Sequence, residues 1–469
     1  MKERIPRGRK SLRWRRKSSQ RARSFDLFGR FHRALSWLLP GLVVKRWMLI
    51  SVFGLIVAFF GLIIWADLRP IYWGIELMFS LIGMMTKFLP SSITGPILLL
   101  TGIALLIWGQ NRSFKSIQKA VAPEKDDILI NALRAKSRLN RGPNIVAIGG
   151  GTGLSTLLMG LKRYSNRITA IVTVADDGGS SGILRRELGV QPPGDIRNCL
   201  AALATEESLI TRLFQYRFSS GTGLVGHSFG NLFLSALTSI TGNLEAAITA
   251  SSRVLNVRGQ VVPATNVDVR LWAELQNGDR IEGESAISEV QHPIVRIGCL
   301  PEKPPALPSA IEAIENAELI VLGPGSLYTS ILPNLLIPQI VEAIQRSKAT
   351  KLYICNLMTQ PGETDGLDVS GHVRAIEGQL AIFGITKRIF DIIIAQKDFP
   401  PSGLLDYYLS RGAEPVKCDV SSLNAKGYKV FKGSLQSFKK TTSWSVLRHD
   451  PKRLSLAVMR AFKNDRRDI

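Results

Sequence analysis

Residues 144–177, NIVAIGGGTGLSTLLMGLKRYSNRITAIVTVADD, constrain the fold more than any other stretch of the chain. A short apolar run ends in the glycines of GGGTG, residues 149–153. LSTLLMGLKRY follows, with apolar residues at helical spacing, and then RITAIVTVADD, a β-branched run with acids at its carboxyl end. Two extended runs joined through a helix pair in parallel, and a parallel sheet needs helices packed on its faces. AELIVLGPG at 317–325 and KLYICNLMT at 351–359 repeat the pattern.

The expected architecture is therefore α/β: an open, doubly wound, mostly parallel, Rossmann-like sheet. Such sheets bind ligands at the carboxyl ends of their strands. GGGTG matches G-x-G but not G-x-G-x-x-G, because Leu154 stands at the last glycine position, and no Gly-Lys-Ser/Thr makes it a P-loop. Gly150, Gly151, Thr152 and Gly153 then read either as a phosphate cradle at a helix N-terminus or as a tight structural turn. Asp176 and Asp177 stand where a dinucleotide fold places its ribose-binding acid. They equally suit a magnesium ion, or turn and capping duties. In PPGDIRNCLAALA, Asp195 is predicted to cap a helix, leaving Arg197 and Asn198 in its first turn as ligand candidates. GLVGHSFGNLFLSALTSI repeats the device, with Ser228 as cap, His227 before it and Asn231 within the first turn. GPGSLYTS adds Gly323, Gly325, Ser326 and Tyr328, with Thr329 beside them. ICNLMTQPGETDG adds Asn356, Thr359, Gln360, Glu363 and Asp365. A series of polar, glycine-bearing loops at strand ends is the pattern of a ligand cleft.

The region before residue 143 has a different texture. The formal charge of +23 is concentrated in residues 1–46, where fifteen Lys/Arg face two acids. Residues 47–66, WMLISVFGLIVAFFGLIIWA, are uncharged and long enough to cross a bilayer, and a second apolar run covers 91–109 with Trp108 as an interfacial anchor. The segment between carries Glu76 and Lys87 and either spans, re-enters or lies on the surface. Both flanks of the apolar region are basic, the second through Arg112, Lys115, Lys119, Lys125, Arg134, Lys136, Arg138 and Arg141. Two spans put both flanks in the cytoplasm, as the positive-inside rule asks. The expected organisation is a basic cytoplasmic arm (1–46), a transmembrane region (47–110), a linker (111–142) and a ligand-binding domain (143–469). The chain is then a multi-pass protein of the cell membrane whose carboxyl-terminal domain is cytoplasmic. The arm faces anionic lipid rather than nucleic acid. Cys199, Cys299, Cys355 and Cys418 are far apart without C-x-x-C spacing, which argues against zinc and a disulfide framework.

The strings IGGGTGLSTLL, ITAIVTVADDGGSSG, PPGDIRNCLAAL, GHSFGNLFL, VLNVRGQVVPAT, GPGSLYTSILPNLL and YICNLMTQPGETDG resemble the YvcK-type gluconeogenesis factors. These belong to a wider superfamily with the phospholactate transferase CofD. The resemblance covers about residues 144–449. It implies a fold that binds UDP-sugars, UDP-N-acetylglucosamine above all, without a required cofactor, although magnesium is admitted. It also implies support of cell shape and envelope growth under gluconeogenic conditions, an envelope-synthesis partner and a homo-oligomer. By the same resemblance, Tyr408 and Arg448 are expected at the uridine-diphosphate end, a ring for stacking and a guanidinium for pyrophosphate. The competing reading is a CofD-like transferase moving a phospholactyl-type group from a GDP-linked donor to a deazaflavin with magnesium, held by Asp176 and Asp177. A nicotinamide enzyme is disfavoured by the missing third glycine. The chain departs from typical soluble members in its amino-terminal 140 residues or so, and in Phe229 where leucine is usual.

Overall fold

The computed structural model describes residues 53–61, 64, 69–88, 95–97, 99–105, 108–109, 112 and 137–467, apart from 206–208, 291 and 441–444. The chain divides into two units, Met1–Glu124 and Lys125–Ile469.

In the first unit the described residues are helical, and the continuous piece is Arg69–Phe88, the segment left open between the two expected spans. Among the described residues no single helix is long and apolar enough to cross a membrane. The expected spans 47–66 and 91–109 are described only in part, as helical residues 53–61 and 64, and 95–97, 99–105 and 108–109. The basic arm lies outside the described residues.

The second unit is built on seven strands in the order β10-β9-β8-β7-β1-β2-β3, with every neighbouring pair parallel. The strands are β1 (Ile145–Gly149), β2 (Ile168–Val172), β3 (Gln260–Pro263), β7 (Leu319–Leu322), β8 (Thr350–Ile354), β9 (Ile392–Gln396) and β10 (Lys429–Gly433). From β1 the chain winds outward through β2 and β3, then returns to the other side of β1 with β7 and continues to β10. The sheet therefore has its switch point between β1 and β7, the place where the loops diverge to open a crevice. Both faces are covered, as a parallel sheet requires. Val146 and Ile148 of β1 enter one core with Leu332, Ile340 and Tyr353, while Ile145 and Ala147 enter the other with Leu157, Leu200 and Val458. By burial area each fully enclosed Leu, Ile or Val adds about 1.5–3 kcal/mol.

Helix α1 (Gly151–Leu161) follows β1, α2 (Gly179–Leu188) and α3 (Gly194–Leu203) follow β2, and α4 (Phe229–Thr241) is capped by Ser228 as expected. The last helix, α7 (Pro451–Asp465), crosses α1 so closely that a Cβ on Gly160 would lie 2.0 Å from the Pro451 carbonyl oxygen. The pair Leu327–Leu335 and Pro338–Arg346, apolar enough together for a bent span, is core here: Leu332, Leu335, Ile340 and Ile344 are buried.

An antiparallel insertion, β5-β4-β6, was not foreseen. It comprises β4 (Arg270–Leu275), β5 (Arg280–Glu282) and β6 (Ile294–Leu300), with the short helix α5 (Glu284–Ile287) after β5. Its buried Leu271, Ala273 and Leu275 alternate along β4 with less buried Trp272 and Glu274. A hairpin, β11 (Gln436–Lys440) and β12 (Ser445–His449), precedes α7. Residues 137–142, expected as the end of a linker, already belong to this unit. Leu139 is buried, and its carbonyl accepts the Asn166 N–H at 3.0 Å.

Candidate ligand cleft

The crevice at the switch point is a cavity of about 430 Å³. One wall is the start of α1. Gly150 is extended, Gly151 has φ of +63°, and the N-cap glycine has no side chain to cap the helix, although the Gly151 N–H meets the Asp195 carboxyl. The first-turn amides have no intrahelical acceptors and the helix dipole is positive there, so this wall is disposed to receive an anion. Glycine is required for space as well. A Cβ on Gly150 would lie 2.6 Å from Asp195 Oδ2, and one on Gly153 would lie 2.3 Å from the Pro324 carbonyl oxygen.

That second contact brings in the loop after β7. Gly323 (φ +78°) turns the chain, and Pro324, Gly325 and Ser326 line the cleft. A π-helical turn, Leu327–Ile331, follows. It rotates Thr329 and Ser330 into the cleft and sends Tyr328 into the core, 5% exposed, with its hydroxyl donating to the Ile294 carbonyl at 3.4 Å. Burial pushes the Tyr328 phenol up to about 12. Tyr328, expected as a ligand contact, is thus a structural residue. Asn334 ties the two walls together by donating to the carbonyls of Gly149 (3.3 Å) and Ser330 (2.8 Å).

The floor is acidic. β2 stops at Val172, where its partner β1 ends, so Asp176 and Asp177 lie in the following loop instead of on the strand. They part company there. Asp176 lines the cleft and its Oδ1 accepts the Gly178 N–H at 3.0 Å. Asp177 turns to the insertion, where it accepts the N–H of Glu284 (2.9 Å) and both the N–H (2.8 Å) and hydroxyl (2.7 Å) of Ser285. It serves as an anchor for α5, outside the cleft. With both Asp177 oxygens occupied, the pair does not fit a shared metal ion. Among the described residues no group of three His, Cys, Asp or Glu is arranged to hold one.

Asp195 and Glu284 take Asp177's place at the floor. Pro193, not Asp195, is the cap of α3, and Asp195 sits in the first turn facing Asp176. Burial, then the Asp176 charge, raises Asp195 to about 7, against the opposing help of the Gly151 N–H and Arg197. Burial, then Asp176 and Asp195, raises Glu284 to about 8.

Arg197, Asn198, His227 and Asn231 do not line the cleft; half-buried Arg197 and Asn198 and buried His227 and Asn231 form a network beside it. Arg197 donates to Ser228 Oγ and to Asn198 Oδ1 (2.8 Å). Asn231 Nδ2 donates to Ser180 Oγ at 3.1 Å, which leaves the Ser180 hydroxyl proton for His227 Nδ1 at 3.0 Å. This arrangement holds the loop that carries Asp176.

The far wall joins Asn356, Leu357, Met358 and Gln360 after β8 to Tyr408 of α6 (Ser402–Leu409) and to Leu447, Arg448 and His449 of β12. Gln360 Nε2 donates to Ser326 Oγ at 2.8 Å and its Oε1 accepts from Asn356 at 3.3 Å, so this wall is bonded to the β7 loop. The Leu447 N–H donates to the Tyr408 hydroxyl at 3.0 Å, which fixes the ring against the hairpin.

Residues 145–436 match the family described as 2-phospho-L-lactate transferase CofD. The chain belongs to the CofD family, among the gluconeogenesis factors. A Bacillus subtilis gluconeogenesis factor is 46% identical to this CofD-family chain over 325 residues, 69% of this chain and 100% of its own. A relative from Nostoc sp. (strain PCC 7120) is 52% identical over 433 residues, 92% of this chain and 93% of its own, so that match extends into the residues before the α/β unit. A crystal structure of a Bacillus halodurans protein superposes on this CofD-family fold with a TM-score of 0.64 at 46% identity. It covers 68% of this chain and 100% of that one. Both are matched over their full length by about two thirds of this chain.

Proposed function

We propose that the cleft binds a UDP-sugar, UDP-N-acetylglucosamine first among them, and that the protein is a ligand-responsive regulator of envelope growth and carbon metabolism. The observation that carries this reading is the pairing of walls at the switch point. The α1 amides beyond Gly151, whose N–H meets Asp195, and the Gly325–Ser326 backbone offer an anion site, opposite an aromatic ring and a guanidinium, Tyr408 and Arg448. That division suits a molecule with a pyrophosphate between a planar base and a polar sugar. The name borne by the Bacillus subtilis relative supports the metabolic part. The transferase reading, drawn from the family's description, is less well supported: its metal pair, Asp176 and Asp177, is divided between the cleft and the insertion. A thermal-shift panel of UDP-N-acetylglucosamine, UDP-glucose, GDP and NAD tests it. Stabilisation by the UDP-sugars is expected, and stabilisation by GDP alone would favour the transferase.

We propose further that the first unit tethers the protein to the membrane, with the α/β unit in the cytoplasm. Phe53, Phe59, Phe60, Trp73, Phe79, Leu99 and Leu100 all leave more than half of their surface exposed, a cost in water that lipid removes. The basic flanks favour anionic lipid. A homo-oligomer and an envelope-synthesis partner complete the proposal, and crosslinking in membranes tests both.

A further inference from the structure

Ser326 ends the glycine loop after β7 and lines the cleft half-buried. Its backbone is fixed, because its carbonyl accepts the N–H groups of Ser330 and Ile331, both at 3.0 Å. Its side-chain oxygen accepts from Gln360 Nε2 at 2.8 Å, and Gln360 Oε1 accepts in turn from Asn356 Nδ2 at 3.3 Å. Gln360 presents that amide from a braced turn. Its N–H donates to buried Thr364 Oγ1 at 2.8 Å, and its carbonyl accepts the Glu363 and Thr364 N–H groups at 3.1 and 2.9 Å. The preceding residue, Thr359, exchanges two bonds with Glu414, at 2.7 and 2.8 Å.

A hydroxyl has one proton and two lone pairs. The Gln360 amide occupies one lone pair of Ser326, so the proton does not point back at Gln360, and Ser326 Oγ has no other partner among the described residues. The Gly325 and Ser326 N–H groups likewise find no backbone acceptor among them. Resting on the nucleotide reading of the cleft, we infer that Gln360 is a positioning residue for diphosphate recognition. It turns the Ser326 hydroxyl proton into the cleft, where that proton joins the two amides in donating to a diphosphate oxygen. Such an oxygen is charged and only accepts. A donor aimed at it in advance makes the stronger class of hydrogen bond and has no rotor freedom left to lose on binding. Asn356 fixes which end of the Gln360 amide faces the serine.

The experiment titrates UDP into four full-length chains: wild type, Gln360→Glu, Ser326→Ala and the double variant, each checked by melting. Glutamate fills the same space and keeps the tie between the two walls. An ionised carboxylate only accepts, however, so it draws the Ser326 proton back out of the cleft. Its charge also repels a diphosphate, and the Ser326→Ala background measures that repulsion by itself. Q360E is expected to weaken UDP binding about tenfold more with Ser326 present than in the S326A background. Equal penalties in the two backgrounds would mean that only the charge matters, and would overturn the inference; a smaller penalty with Ser326 present overturns it too. Gln360→Met, which removes the amide without adding charge, runs in the same cycle. It is expected to weaken UDP binding about tenfold alone and no further once Ser326 is alanine. Wild-type UDP affinity in Q360M sinks the inference even where Q360E fails to fold. Absence of UDP binding by the wild type overturns the cleft reading and this inference with it, whereas every other outcome leaves that reading standing.

Discussion

Gly153→Ala is the sharpest perturbation of the cleft that leaves every functional group in place. The new methyl carbon would lie 2.3 Å from the Pro324 carbonyl oxygen, 2.8 Å from its carbon and 3.1 Å from Gly325 Cα. All three are backbone atoms, so no side chain can rotate away. Restoring ordinary contact at 3.4 Å means separating α1 from the β7 loop by about 1.1 Å. Overpacking of this kind costs about 1–3 kcal/mol, and at roughly 2–4 °C per kcal/mol the melting temperature falls by about 2–12 °C. Binding should suffer more, because both anion-facing walls shift, and a displacement near 1 Å can cost about a hundredfold where several groups must converge. Gly378→Ala is the matched control: it lies within the helix Val369–Ile382, and nothing stands within 4 Å of its added carbon. Circular-dichroism melting and UDP-N-acetylglucosamine titration of both variants are the assays. Equal melting temperatures and equal affinities in the two would refute the argument that the close approach of these loops builds the site.

Arg448→Ala is expected to weaken UDP-sugar binding by about 1.5–3 kcal/mol, the scale of a hydrogen bond to a charged group, with melting unchanged, as calorimetry and denaturation can check. Tyr408→Ala should weaken binding at least tenfold, whereas Tyr408→Phe keeps the ring and loses only the acceptor for the Leu447 N–H. The raised Asp195 and Glu284 give a stability that is full below their ordinary carboxylate range and is lost as pH rises through about 7 and about 8. Melting temperature should therefore decline across that window, and Asp195→Asn with Glu284→Gln should flatten the decline; a wild-type-like slope in the double variant would show that other groups set it. Removing residues 1–110 is expected to move the protein from the membrane to the soluble fraction, and continued sedimentation would show a second anchor.

The strands were legible because each is a short, nearly continuous apolar run, and burial on both faces of a parallel sheet demands that. Their order was not, since nothing local tells β7 to return beside β1. The glycine loops were legible for the same reason they are needed, space and backbone freedom, at Gly150, Gly151, Gly153 and Gly325. Side-chain direction was the weak point. A π-helical turn changes which face residue 328 presents, and no spacing rule announces it. Asp177 lost its place to Glu284 through a contact spanning 107 residues, which a local motif cannot encode. Pro-Pro-Gly-Asp suits a cap at Asp195, but the cap is Pro193, two residues earlier, and Asp195 falls in the first helical turn, where it lines the cleft.

The most direct test of the central claim is calorimetric titration of the protein with UDP-N-acetylglucosamine and with GDP, both in magnesium and in chelator. The account expects saturable binding of the UDP-sugar, little affected by chelation, and its loss in Arg448→Ala. Heat from GDP alone, dependent on magnesium and indifferent to Arg448, would contradict it.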